Sequence, residues 1–147
     1  MTQPQLTARA VALAALGDRA GNVTAHLNRV IAEQSLGPAD AGLARELALG
    51  VVRRRRTLDA VVRAFQSGSA HRTPPRVRDV LRLGIYQVLF LDRVPDFAAV
   101  NETVSLAGGR KGLRGFVNGL LRNVIRSAGP AEAGAPPTAG GPCARPG

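Results

Sequence analysis

Apolar residues recur at helical spacing along most of the chain, and no segment alternates as a half-buried strand does. The segment 23–34 shows this spacing clearly. Its apolar positions fall at i, i+4, i+7 and i+8, and they are Val23, Leu27, Val30 and Ile31. Because similar stripes return down to residue 127, the pattern predicts an all-α fold, a compact bundle of about seven helices.

Capping and breaking residues set the predicted boundaries in the N-terminal half. Thr7 is a suitable N-cap for a first helix that runs to about Arg19. Pro38 stands where a third helix can begin, because proline fits the first turn. The arginine run 53–56 interrupts the apolar pattern, so we expect Thr57 to cap a separate short helix.

The longest apolar helix is predicted over residues 76–91, directly after a pair of prolines. Its first half is amphipathic, and the pattern places Arg76, Asp79 and Arg82 on the outward face. Its second half is apolar on nearly every side. A helix of that kind is surrounded by others, so we predict a central helix.

Two further helices complete the predicted fold. One begins after Asp96, taken as its cap, and points Phe97 inward with the other apolar residues. The last has an unbroken apolar stripe over 113–125. Within it, Gly115 and Gly119 stand four residues apart and are expected to let a neighbouring helix approach closely.

The composition of the C-terminal residues 128–147 is dominated by Ala, Gly and Pro, which cannot bury enough apolar surface to become ordered. We therefore predict one domain over 6–127 and a disordered tail. Cys143, the only cysteine, lies in this tail, which excludes an intramolecular disulfide and a cysteine-based metal site. We find no signal peptide and no apolar run long enough to span a membrane, so a cytoplasmic location is expected.

The net charge of +10 is distributed unevenly along the chain. From Arg53 to Arg82 there are nine arginines and two aspartates, and residues 110–126 hold five basic residues and no acid. The remainder carries a slight negative charge. Basic residues grouped in this way are typical of a surface that binds a polyanion, with nucleic acid the favoured partner; solvated faces or an acidic protein partner are the alternatives.

No group of residues points to catalysis or to a cofactor. The sequence lacks a glycine-rich phosphate loop, and its carboxylates do not stand at metal-ligand spacings. His26 lies beside Leu27 on a predicted helix and is expected to be a surface histidine or one at the boundary between surface and core. His71 lies in the basic loop, where solvation is favoured over stacking on RNA. Glu102 is expected to be an exposed or cap-bonded carboxylate, so we predict no metal and no cofactor.

Three segments resemble a known family when they are taken together. They are LGIYQVLFLDRVP at 83–95, AAVNETV at 98–104 and FVNGLLRNV at 116–124. Their combination is similar to the NusB-type RNA-binding domain, and the likeness extends over roughly residues 6–127. The resemblance implies an all-α fold that binds RNA.

Within that family, the segments 91–95, 119–122 and 53–59 resemble the N-terminal domain of RsmB-type rRNA cytosine-5 methyltransferases. The resemblance implies a domain that recognises rRNA, as the targeting module or a truncated remnant of such an enzyme. We expect no catalysis by this chain alone, because that branch uses an S-adenosylmethionine domain and a cysteine nucleophile for which Cys143 cannot stand in. The alternative is a transcription antitermination factor that binds nascent RNA and a small ribosomal protein.

RNA binding of this kind would depend mainly on arginine–phosphate pairs, and single-stranded or looped RNA is the favoured target. Arg9 is included because the family places an RNA contact on the first helix. For Asn118, an RNA contact and a capping or interhelical hydrogen bond are equally supported. The full set of predicted RNA-binding residues is Arg9, Arg53, Arg54, Arg55, Arg56, Arg72, Arg76, Arg78, Arg82, Arg110, Lys111, Arg114, Asn118 and Arg122.

Overall fold

The computed structural model describes residues 6–18, 21–66, 73–108 and 111–128. These residues form seven α-helices and no strand, so the all-α prediction is confirmed. None of these helices combines the length and the apolar character that crossing a membrane requires. The helices are α1 (Ala8–Gly17), α2 (Val23–Gln34), α3 (Pro38–Arg53), α4 (Arg55–Phe65), α5 (Pro75–Phe90), α6 (Asp96–Ser105) and α7 (Lys111–Ala128).

The chain divides into two units between Arg54 and Arg55. In the first unit α1 packs against both α2 and α3, and its contact with α3 is the more extensive. Small side chains make this contact close, because Ala12 and Ala15 on α1 and Ala44 and Ala48 on α3 are fully buried. Side chains at the start of two helices cap them as their residue types favour: Thr7 Oγ1 accepts from the Ala10 N–H at 3.1 Å, and Asn22 Oδ1 accepts from the Ala25 N–H at 3.2 Å.

In the second unit α5 contacts α4, α6 and α7, which confirms the prediction of a central helix. Its residues Leu81, Leu83 and Ile85 are completely buried. Gln87 lies among them and donates from Nε2 to the Leu83 carbonyl and to Thr103 Oγ1 on α6, each at 3.0 Å. A polar group at this depth is tolerated because it is hydrogen-bonded.

Close approach of two helices in the second unit depends on Gly84 of α5. A Cβ at this position would lie 2.7 and 2.8 Å from the Leu121 methyl groups of α7 and 3.1 Å from Thr103 Cγ2. By contrast, Gly115 and Gly119 of α7 face open space. The sequence prediction that these two glycines mediate close packing was therefore wrong, and the required glycine lies on the other helix.

Three helix starts and one inward residue also differ from the predictions. Thr57 lies inside α4, which begins at Arg55, so it is not an N-cap. Pro75 rather than Arg76 begins α5, and Pro95 rather than Asp96 occupies the N-cap of α6. Phe97, expected to point inward, is 71% exposed, because the second position of α6 turns away from α5 and α7. The predicted tail lies outside the described residues, except for Ala128 at the end of α7.

Candidate functional site

The arginine run 53–56 spans the end of one helix and the start of the next. Arg53 is the last residue of α3, Arg54 is its C-cap, and Arg55 and Arg56 begin α4. All four are exposed. Arg53, Arg55 and Arg56 form no hydrogen bond or ion pair with any described residue, so their guanidinium groups are available to an external anion.

Arg82, unlike the arginines of the run 53–56, is not exposed. It is buried on α5, where Nε and Nη2 donate to the two carboxylate oxygens of Asp59 at 2.7 and 3.0 Å, and Nη1 donates to Asp79 Oδ1 at 2.8 Å. Asp79 is buried as well. The prediction that Arg82 and Asp79 face outward was wrong, because an arginine that two carboxylates neutralise can be buried. Arg82 is therefore removed from the candidate RNA-binding residues.

Arg82, Asp59 and Asp79 form an ion triad in which the guanidinium stays charged. Burial alone lowers the pKa of a guanidinium, because it penalises the charged form. The hydrogen bonds and negative charges of Asp59 and Asp79 outweigh that penalty, so the pKa of Arg82 is raised from its ordinary value. The hydrogen bonds from Arg82 to Asp59 thus connect α5 to α4, and they engage the only acidic side chain of α4.

The start of α5 carries two predicted arginines that already make weak contacts. Arg76 is exposed and donates from Nη2 to the Leu106 carbonyl at 3.3 Å. Arg78 is half-buried and donates from Nη2 to the Thr73 carbonyl at 3.3 Å. A guanidinium has five N–H donors, so each side chain keeps donors for a phosphate.

On α7, Arg114 is exposed and has no partner among the described residues. Asn118 Oδ1 accepts a hydrogen bond from Arg122 Nε at 3.1 Å, one helical turn further along. This is neither the capping nor the interhelical bond that the sequence allowed for Asn118. The side chain of Lys111, together with Arg72 and Arg110, lies outside the described residues, and their RNA contacts stay predictions.

Arg9 and His26 lie in the first unit, and each already has an intramolecular interaction. Arg9 is half-buried on α1 and already takes part in an intramolecular interaction. His26 lies in the first turn of α2 and is half-buried, as expected for a histidine between surface and core, with Nδ1 3.0 Å from Asp18 Oδ2. Glu102 is exposed as predicted, and His71 falls outside the described residues.

One exposed arginine without a partner among the described residues was missed from the sequence. Arg63 on α4 has no hydrogen bond or ion pair with any described residue. It follows Arg56 by seven residues, which is two helical turns, and it therefore lies on the same face of α4. That spacing was a usable signal, but Arg63 stands apart from the arginine run and was not included among the predicted residues.

Comparison with known proteins places this arrangement in a family. Residues 6–126 match the sequence profile described as the NusB family. The chain belongs to the NusB family. A solved structure of T. maritima NusB superposes with a TM-score of 0.73 at 25% identity, over 88% of this chain and 96% of that one.

Relatives of two kinds match the sequence. A Synechocystis protein named "Probable ribosomal RNA small subunit methyltransferase B" is 42% identical over 103 residues, which are 69% of this chain and 23% of that protein. The transcription antitermination protein NusB of a Nocardioides species is 36% identical over 112 residues, 74% of this chain and 82% of that protein. The chain thus spans about a quarter of the methyltransferase it matches and most of the antitermination protein.

Proposed function

We propose that this NusB-family domain binds small-subunit ribosomal RNA and acts as the targeting module of an rRNA cytosine-5 methyltransferase. The observation that carries the proposal is a set of exposed arginines in the segment 53–56 and on α7 that have no partner among the described residues, namely Arg53, Arg55, Arg56 and Arg114. An arginine that no carboxylate neutralises attracts phosphate strongly and binds it through paired hydrogen bonds.

The distribution of acids in the second unit supports the same proposal. Among its described residues, Asp59 and Asp79 are bound to Arg82, and the three remaining acids lie in α6 and the turn before it. Helix α7 has no acidic residue. A polyanion that approached α4 or α7 would therefore meet little repulsion from those helices.

The proposed RNA-binding residues follow from these observations. They include the run 53–56, which occupies the end of α3 and the start of α4, and the arginines that retain free donors on α5 and α7. Single-stranded or looped RNA is the proposed target, because its phosphates and bases are both accessible to arginine side chains. The proposed set is Arg9, Arg53, Arg54, Arg55, Arg56, Arg72, Arg76, Arg78, Arg110, Lys111, Arg114, Asn118 and Arg122.

The targeting role follows from the relatives. The Synechocystis relative is named for methylation of small-subunit rRNA, and the matching stretch accounts for 23% of its length. We assign rRNA recognition to this stretch, and we assign the methyl transfer in such a protein to the remainder of its length. A cytoplasmic location is proposed with this role, since ribosomal RNA is its ligand.

A second candidate function is transcription antitermination, with nascent RNA and a small ribosomal protein as partners. The observation in its favour is that the matching residues cover 82% of the Nocardioides antitermination protein, which is most of a protein with that name. The two candidates differ in what RNA binding requires. We expect a targeting module to bind rRNA unaided, whereas for the second function we expect the ribosomal protein to increase the affinity for RNA.

A competition experiment tests the proposed function. The full chain is titrated onto a fluorescently labelled small-subunit rRNA fragment, and an unlabelled RNA of equal length and unrelated sequence is the competitor. We expect the chain to bind the rRNA fragment unaided and to prefer it over the competitor. Equal competition by the unrelated RNA would contradict rRNA recognition, and tight binding only after addition of a small ribosomal protein would favour the second candidate.

A further inference from the structure

The exposed face of α4 formed by Arg56, Ala60 and Arg63, here called the α4 arginine face, has no role in the packing of the second unit. All three residues are exposed, and neither arginine has a partner among the described residues. Residues 56, 60 and 63 follow one another at i, i+4 and i+7, so their side chains project from one side of the helix. The two arginines are separated by about 10 Å along the axis.

The opposite side of α4 is what holds the helix in place. Leu58, Val61 and Val62 are buried, and α4 packs against α5 and α7. Asp59 accepts two hydrogen bonds from Arg82, which also binds Asp79, so the one negative charge of α4 is offset in part from beneath. The α4 arginine face therefore presents two positive charges that form no ion pair with a described residue, on a helix held by its buried side.

We propose that the α4 arginine face binds two phosphates of the RNA backbone, with Arg63 as a contact residue beyond the arginine run. This inference rests on the proposed function and specifies how part of the RNA is held. The spacing of about 10 Å along the axis allows the two arginines to contact separate phosphates of one strand. Ala60 lies between them and leaves room for the intervening sugar and phosphate.

Arg82 takes a different role from the one its sequence context indicated. It is buried, and its bonds to Asp59 and Asp79 offset part of the charge of Asp59 and fix α4 against α5. Without that pair, Asp59 would place a negative charge close to the phosphates, because it lies four residues before Arg63 on the same helix. Arg82 is thus a positioning residue for the α4 arginine face.

Two opposite substitutions test the α4 arginine face by fluorescence anisotropy on the labelled rRNA fragment. We expect Arg63→Gln to weaken binding by about three- to tenfold at low salt and to reduce the salt slope by about 0.7, the share of one phosphate on a single strand. Ala60→Arg is expected to tighten binding and to steepen the salt slope by a similar amount, since it adds a charge between the two arginines.

Arg29→Gln on α2 is the matched control. It removes the same charge from an exposed arginine, one that lies beside Glu33. Circular dichroism is used to check that each variant is folded.

If Arg63→Gln and Ala60→Arg bind like the parent chain while the parent binds the rRNA fragment, the α4 arginine face is not an RNA contact, and the proposed function stands without it. Loss of affinity in Arg29→Gln equal to that in Arg63→Gln would also overturn the inference, because it would show that total charge alone decides affinity. A parent chain that does not bind the fragment overturns both.

Discussion

At the scale of single residues, buried polar groups in the second unit are satisfied almost entirely by one another. Arg82 has three hydrogen bonds to carboxylates, and Gln87 reaches both the backbone of α5 and Thr103 of α6. Such groups contribute little net stability when they are intact, but the loss of one partner leaves the other buried and unpaired. Substitutions at these positions therefore have effects that are large and specific.

The first prediction concerns the ion triad. Replacing Arg82 with Met keeps most of the side-chain volume but leaves Asp79, whose side chain is 3% exposed, without its cationic partner. We expect the free energy of unfolding in urea to fall by about 3–5 kcal/mol. Arg56→Met removes an exposed arginine as a control and is expected to change it by less than about 0.5 kcal/mol. Equal effects of the two substitutions would show that the triad is not a structural element.

A second prediction contrasts two glycines in neighbouring helices. Gly84→Ala introduces a Cβ within 3 Å of Leu121, so we expect destabilisation by about 1–3 kcal/mol, despite the higher helix propensity of alanine. Gly115→Ala, on the open side of α7, is expected to stabilise the fold by about 0.5–1 kcal/mol. Thermal unfolding followed by circular dichroism measures both. A stabilising Gly84→Ala would mean that α5 and α7 do not approach as closely as described.

At the scale of helices, the sequence was informative wherever a pattern repeats over several turns. The all-α class, the bounds of α2 and the central position of α5 followed from apolar spacing alone. Ends of helices were less predictable. Thr57 is a residue type that favours an N-cap, but α4 begins two residues earlier, directly after Arg54, the C-cap of α3.

Charged residues were the other source of error at this scale. Arg82 and Asp79 were assigned to a solvent-exposed face because arginine and aspartate are usually exposed. The missing information was that Asp59, more than twenty residues away, lies across from Arg82. A contact between residues distant in sequence leaves no trace in local periodicity, and the same limit hid the exposure of Phe97. The basic segments that form the candidate site were predicted from the sequence. Only the contacts in the structure distinguish the buried and paired Arg82 from the exposed arginines.

The third prediction concerns the connection of α5 to α6. Thr103→Val is nearly isosteric but removes the hydroxyl that accepts from Gln87 Nε2 at 3.0 Å. Because both side chains are fully buried, we expect a loss of about 1–3 kcal/mol, measured by urea unfolding. Replacing both partners, Gln87→Leu together with Thr103→Val, should recover part of this loss. A single substitution without effect would show that this hydrogen bond does not contribute to the connection.

At the scale of the whole molecule, the excess positive charge is regional. The windows 53–82 and 110–126 together carry more positive charge than the net +10 of the chain, because the rest of the chain is slightly acidic. Where the structure describes these arginines, it divides them further, into one that is buried and bound to two carboxylates, several that contact backbone or side chains, and others that are exposed with no described partner. The exposed group gives the NusB-family domain its proposed affinity for RNA.

Simultaneous replacement of the arginine run tests whether these exposed arginines contribute to RNA binding. Changing all four of residues 53–56 to Gln removes charges that are exposed, and Arg53, Arg55 and Arg56 among them form no ion pair with a described residue. We expect the thermal unfolding temperature to stay close to that of the parent chain and rRNA affinity to fall at least about tenfold. Unchanged affinity would move the RNA-binding surface away from the α3–α4 boundary.

The salt dependence of rRNA binding tests the central claim most directly. The equilibrium constant of the full chain for a small-subunit rRNA fragment is measured across a series of salt concentrations. If five or more arginines each neutralise a phosphate, the slope of log K against log salt should be about −3 or steeper. A slope near zero, with affinity hardly changed between low and physiological salt, would contradict recognition of RNA through an arginine surface.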